Sequence, residues 1–270
     1  MKFLCLHGAF GSAAGFKVQL RPFVDEVARA NSSSFVWVDG LHPSEAPVGY
    51  TEFFGGPPYY RHMQYEGTEG LDQLMSRVRE FPEGLGAEDT LRFLIRGFDE
   101  LPSKALEESL GRLFDIIDKD PEIDGILGYS EGAILASTLI LEEQRRLEEE
   151  DIPRRIKVGY AACNCEVNLM RFQGAIFFSG WPPVRYRDGK MQHLLADECD
   201  SIVDVPTCHI VGCNDPYIHG AIALYNMCDE DTVVLFDHGK GHTVPRDKKT
   251  IKELAETITM TIHKATCLLG

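Results

Sequence analysis

The chain has 270 residues, 44% of them apolar, with 27 basic against 42 acidic side chains and a formal charge of −15. That acidic excess argues against nucleic acid or an anionic membrane as a partner, and no stretch reaches the roughly 20 apolar residues of a membrane span. The eight cysteines show no disulfide-framework spacing, and MKFLCLHGAFG at the start lacks the apolar core of a signal peptide, so reduced thiols in a cytoplasmic setting are expected.

Short β-branched or aromatic runs predict buried strands over residues 2–6, 35–38, 126–129, 175–179, 207–211 and 232–236. Helical periodicity predicts helices over 17–30, 105–119, 132–150 and 247–264. Strands alternating with helices imply an α/β class: a mostly parallel sheet with helices on both faces, in one domain over 1–270. Residues 41–70 break the rhythm with prolines, glycines and the aromatics Phe53, Phe54, Tyr59 and Tyr60. Two readings of that irregular segment stay open, a lid or binding loop and a loop that merely covers the sheet.

The stretch GILGYSEGAILAS sets Ser130 between Gly128 and Gly132, after the apolar pair Ile126-Leu127 and before the long helical run over 132–150. A nucleophile on a sharp strand-to-helix turn needs glycines two residues away on each side, because the chain there passes close to itself. The turn lifts the hydroxyl clear of the sheet and aims the N-terminal amides of the helix at a developing negative charge. The alternative is a glycine-flanked strand end with a helix-capping serine.

A serine hydroxyl needs a base, and in a serine-first order an acid and then a histidine follow on later strand ends. CHIVGCNDPYI leaves Asp215 just beyond a strand, and VVLFDHGKGHTVPRD offers His238 and His242 on the loop before the last helix. His242 is the better placed base, since its loop can return over the sheet edge. Asp237 and Asp204 are alternative acids, the first abutting His238 and the second preceding its strand. An oxyanion site would use the backbone N–H of Ala9 or Phe10, in the glycine turn after the first strand, together with that of Glu131. The choice between Ala9 and Phe10 is open at this level.

LCLHGAFGSAAGF, GYSEGA, VGCNDPYI and HGKGHTVP together resemble the fungal serine hydrolase family (FSH) of α/β-hydrolases, and FFGGPPYYRHM and IFFSGWPP are similar to segments of it. The resemblance implies an α/β-hydrolase fold with Ser130 as nucleophile, Asp215 as orienting acid and His242 as base. It further implies an esterase or a thioesterase, in some members one that releases a finished acyl chain from the carrier protein of a polyketide synthase. Glu131 stands where Gln is common in the family, which is expected to put a charge near the pocket mouth.

Rival chemistries fit less well. Cys208, His209, Cys213 and His219, with Cys163 and Cys165, match no zinc spacing, and buried small apolar cysteines are expected instead. The HGAFGSAAG turn lacks G-x-G-x-x-G and a Walker lysine. No metal or cofactor is therefore expected. A non-catalytic relative that binds a metabolite would lack a member of the Ser, His, Asp set, and none is missing. Phe53, Phe54, Tyr59, Tyr60 and Trp181 are expected to wall an apolar acyl pocket, with Arg61 and His62 as its polar candidates. The expected substrate is a small-molecule acyl ester or thioester. Docking of an acidic acyl carrier protein would need a basic patch such as Arg185, Arg187 and Lys190.

Overall fold

The computed structural model describes residues 1–47, 50–51, 55–64, 77–78, 84–96, 104–149, 173–187, 189–200 and 202–267. Six strands form one parallel sheet: β1 (Lys2–Leu6), β2 (Ser34–Val38), β5 (Ile123–Tyr129), β6 (Gly174–Phe178), β9 (Thr207–Val211) and β10 (Val234–Asp237), in the order β10-β9-β6-β5-β1-β2. Two antiparallel pairs flank it, β3 (His42–Ser44) with β4 (Tyr59–Arg61) and β7 (Val184–Arg187) with β8 (Lys190–His193). The helices are α1 (Ala13–Asn31), α2 (Ala87–Ile95), α3 (Lys104–Lys119), α4 (Glu131–Glu149), α5 (Ile218–Asn226) and α6 (Lys248–Cys267).

Side chains alternate across a strand, so each central strand feeds two cores. In β1, Leu4 and Leu6 join the α3 and α4 residues Leu110, Leu113, Leu135 and Leu139 on one face. Phe3 and Cys5 join the α1 and α6 residues Phe16, Leu20, Leu254 and Ile258 on the other. Parallel strands covered on both faces read as continuous apolar runs, which is why GAIFF of β6 and TCHIV of β9 are buried throughout. Helix α1 starts cleanly because the Ser12 hydroxyl accepts the Gly15 N–H at 3.1 Å, and it buries Phe16, Leu20, Phe23 and Val27 along one stripe.

The chain leaves β1 for β2 on one side, while β5, β6, β9 and β10 extend the sheet on the other. The carboxyl ends of β1 and β5 therefore border a topological switch point, the usual crevice for a ligand in an open α/β sheet. The described part of the 41–70 segment is more regular than its sequence suggests. The β3–β4 pair runs through it, and Tyr60 bridges Gly11 of the β1–α1 loop, its N–H donating to Gly11 O at 2.9 Å. Phe53 and Phe54 lie outside the described residues, as do Cys163 and Cys165.

Candidate active site

Ser130 sits between β5 and α4 with φ 53°, a left-handed conformation that an L-residue adopts only under restraint. Its N–H donates to Phe178 O at 2.9 Å, and its carbonyl accepts from Ala133 N at 2.9 Å. The glycines around it are forced by close approach. A Cβ on Gly128 would lie 2.5 Å from the Ala133 Cα, and one on Gly8 would lie 3.0 Å from the Tyr129 ring.

Asp215 follows β9, buried to 4% exposure. Its Oδ1 accepts the Tyr217 N–H at 2.8 Å, and its Oδ2 lies 2.7 Å from His242 Nδ1. Burial alone would raise the carboxyl's pKa, but the hydrogen bond and charge of His242, with the Tyr217 N–H, outweigh it and hold the group below the usual value. The other ring nitrogen, His242 Nε2, lies 3.1 Å from Ser130 Oγ. Tyr129 flanks the imidazole, its hydroxyl donating to His242 O at 3.2 Å, and the Tyr217 ring meets the imidazole edge-on at 5.1 Å.

Two loops carry Asp215 and His242, and they are stitched together. Asn214 N–H donates to Lys240 O at 3.1 Å and its Nδ2 to Gly239 O at 2.9 Å. A Cβ on Gly212 would lie 1.9 Å from Lys240 O, so only glycine lets the loops meet. Glycine 212 was not singled out from sequence, although GCND after an apolar run carries the turn signal.

A family model described as Serine hydrolase (FSH1) matches residues 1–254. The chain belongs to this serine hydrolase family. Its curated relatives include Esterase FPY3 of Fusarium mangiferae, 24% identical over 270 residues that span 98% of each chain. Hydrolase phiM of Fungal sp. (strain ATCC 74256) is 23% identical, covering 94% of this chain and 91% of its own. Among solved structures, a carboxylesterase from Mesorhizobium loti superposes with a TM-score of 0.51 at 13% identity, covering 96% of this chain and 88% of that one. Arabidopsis thaliana SOBER1 gives a TM-score of 0.51 at 16% identity, covering 97% and 99%. These likenesses establish the α/β-hydrolase fold, and the family makes the protein a hydrolase of the serine esterase type.

In this serine hydrolase the N–H groups of Ala9, Phe10 and Glu131 have no hydrogen-bond partner among the described residues. Phe10 has φ 58°, and the Gly11 N–H closes the turn onto Gly8 O at 3.1 Å. His7 pins the same turn, with Nδ1 2.7 Å from Gly8 O and Nε2 accepting the Gly40 N–H at 2.8 Å.

Several expectations about individual side chains need correction. Glu131 does not bring a charge to the pocket mouth: its side chain is 4% exposed and paired with Arg61, whose Nε donates to Oε2 at 2.9 Å. Arg61 is thereby paired with Glu131 and lies over the Phe10 ring. His62 is buried, its ring tilted against that of His7 at 4.4 Å, and burial pushes its pKa well down. His238 is also inside, at 8% exposure, with Nδ1 accepting the Lys240 N–H. Asp237 caps its own turn, accepting from Cys213 N and Gly239 N at 2.9 and 2.8 Å, and Asp204 accepts from Gln144.

Tyr59 faces Tyr50 edge-on at 6.1 Å and donates its hydroxyl to Gly55 O, while Tyr50 donates to Ala9 O at 2.6 Å. Trp181 lies on the other side, 6.2 Å from the Tyr217 ring and seated on the first turn of α5, where a Cβ on Gly220 would come within 2.3 Å of the indole. Tyr217 is the aromatic that sequence reasoning missed, although it stands two residues after Asp215. Arg185 is exposed on β7, and Arg187 is in register with the exposed Lys190. Among the described residues no group of three His, Cys, Asp or Glu could hold a metal, and no helix is long and apolar enough to cross a membrane.

Proposed function

We propose that the protein hydrolyses acyl esters or thioesters through an acyl-enzyme, with Ser130 as nucleophile, His242 as general base and acid, and Asp215 as orienting acid. The observation that carries this reading is the continuous line from Asp215 Oδ2 through both nitrogens of His242 to Ser130 Oγ, at 2.7 and 3.1 Å. Asp215 accepts a hydrogen bond from the Nδ1–H, which leaves Nε2 as the lone-pair side that takes the serine proton during attack. The N–H of Glu131 and that of Ala9 or Phe10 stabilise the tetrahedral oxyanion. His242 then returns the proton to the leaving alcohol or thiol, and water cleaves the acyl-enzyme by the same steps.

The substrate in this proposal is an apolar acyl chain, and its setting the release of a polyketide or related acyl chain from a carrier protein in fungal secondary metabolism. Support for the acyl part comes from the aromatic ring of Tyr217 beside His242 and that of Trp181 beside Tyr217. Support for the setting comes from fungal relatives such as Esterase FPY3 and Hydrolase phiM, and from Arg185 and Lys190, which offer an acidic carrier exposed positive charge. A reducing cytosol suits the described cysteines, of which Cys5, Cys208, Cys213 and Cys228 carry free thiols.

The test is a panel of acyl esters, acyl-coenzyme A thioesters and acyl carrier protein thioesters of graded chain length, with Ser130→Ala as blank. Turnover that vanishes in Ser130→Ala, with a preference for acyl carrier thioesters, supports the whole reading. Turnover of free esters alone supports the hydrolytic mechanism and removes carrier release. Activity retained by Ser130→Ala removes the mechanism.

A further inference from the structure

Arg61 touches both halves of the site where the oxyanion would sit. From β4 its guanidinium donates to Glu131 Oε2 through Nε at 2.9 Å and through Nη2 at 2.5 Å. The same guanidinium carbon lies 5.1 Å above the centroid of the Phe10 ring. Glu131 and Phe10 belong to two separate elements, the start of α4 and the β1–α1 loop, and their backbone N–H groups have no hydrogen-bond partner among the described residues. The other carboxylate oxygen of Glu131 is taken by the N–H groups of His62 and Met63 at 2.6 and 3.3 Å. With the side chains of Arg61 and Glu131 only 14% and 4% exposed, the pair is held in place and poorly screened.

We propose that Arg61 is a positioning residue for hydrolysis, holding the Phe10 and Glu131 amides at a fixed separation while cancelling the carboxylate charge beside the oxyanion. The proposal rests on the Ser130 reading above. Its physical content is twofold. A guanidinium can bind a carboxylate edge-on and lie over an aromatic face at once, which an ammonium cannot. A buried carboxylate stripped of its partner stays as an uncompensated charge, here on the very residue whose N–H must receive negative charge in the transition state.

The two effects are separated by a pair of variants assayed on an ester that Ser130→Ala cannot turn over. Arg61→Met is expected to lower kcat by about a hundredfold, the scale of losing one oxyanion donor, with KM changed by less than about threefold. Affinity for a trifluoromethyl ketone, which forms a tetrahedral adduct on serine, should fall in parallel. Adding Glu131→Gln to Arg61→Met removes the stranded charge while keeping an oxygen for the His62 and Met63 amides, and should recover about tenfold of the lost kcat. A wild-type kcat in Arg61→Met, a loss confined to KM, or no recovery in the double variant overturns the proposal.

Should Arg61→Met fail to fold, as judged by circular dichroism, Arg61→Lys keeps the charge and loses the two-sided geometry. It is expected to lower kcat about tenfold at constant KM, and an unchanged kcat there is equally fatal. Activity surviving in Ser130→Ala would instead sink the serine mechanism, an outcome independent of what Arg61 variants do.

Discussion

The backbone of Gly132 stands directly against the end of β1: a Cβ there would lie 2.2 Å from Leu6 O and 2.5 Å from His7 O. Helix α4 thus enters over the strand whose next residues, Gly8 to Phe10, form the facing loop. Gly132→Ala must push helix and strand apart, at a cost of about 1–3 kcal/mol for an overpacked site. It is also expected to lower kcat more than that loss of stability explains, because the Glu131 amide moves with the helix. Urea denaturation midpoints alongside kcat check this, and a variant unchanged in both would show that the contact relaxes freely.

Asp215→Asn keeps the shape of the acid and leaves an oxygen for the Tyr217 N–H. Its amide can donate to His242 Nδ1, however, and the imidazole then carries its proton on Nε2, facing Ser130 Oγ as a donor. A fall in kcat of about 10⁴ with little change in KM is expected for such a tautomer inversion. Single-turnover acylation measured with a chromogenic ester would check it, and near-normal acylation would mean that Asp215 does not set the tautomer.

The parts legible from sequence are those where burial is two-sided or the local chain is special. The inner strands showed as apolar runs because both their faces are covered, whereas β10, an edge strand with alternating exposure, lies at Val234–Asp237 rather than over 232–236. Helix α5 escaped notice because IHGAIALYN is apolar on most sides and has no amphipathic period. The short β3–β4 pair has too few residues to show alternation. Ser130 and His242 are 112 residues apart, yet their side chains meet. Their pairing was legible only because a glycine-flanked turn and an ordered set of strand ends leave local marks. The Arg61–Glu131 pair spans 70 residues and leaves none.

Buried histidines should make the fold sensitive to mild acid. Burial pushes the imidazole of His209 down to about 3 and lowers His62 as well, and desolvation takes that of the half-buried His193 to about 4. In the unfolded chain these rings titrate near the ordinary value of about 6.5, so below that pH the unfolded state binds more protons than the native one. Stability therefore falls as pH drops from about 6.5 towards about 4. The depressed carboxyl of Asp215 adds a separate loss at lower pH, as it protonates on descending through its folded value. His209→Phe, which keeps the ring contacts to Phe177 and Tyr225, should flatten the pH slope by up to about 1.4 kcal/mol per pH unit. Denaturant titrations at pH 7, 5.5 and 4.5 would measure it, and an unaltered slope would mean that another group carries the acid response.

The aromatic pair beside His242 should govern chain length. Tyr217 meets the imidazole at 5.1 Å, the Trp181 ring lies 6.2 Å from that of Tyr217, and the indole sits against α5 where Gly220 leaves room for it. An acyl chain leaving the serine on that side would cover both rings, each further methylene adding about 0.8 kcal/mol if fully buried. Trp181→Ala is accordingly expected to erase most of the gain in kcat/KM from a short to a medium acyl ester, while leaving the acetyl ester within about threefold of wild type. Tyr217→Phe keeps the wall and should change neither, whereas Tyr217→Ala should weaken the acetyl ester too, because the imidazole loses its edge contact. A series of p-nitrophenyl esters read as kcat/KM against chain length distinguishes these cases. If Trp181→Ala preserved the slope of that series, the acyl chain would run away from the β6–α5 side, towards Tyr50 and Tyr59 instead.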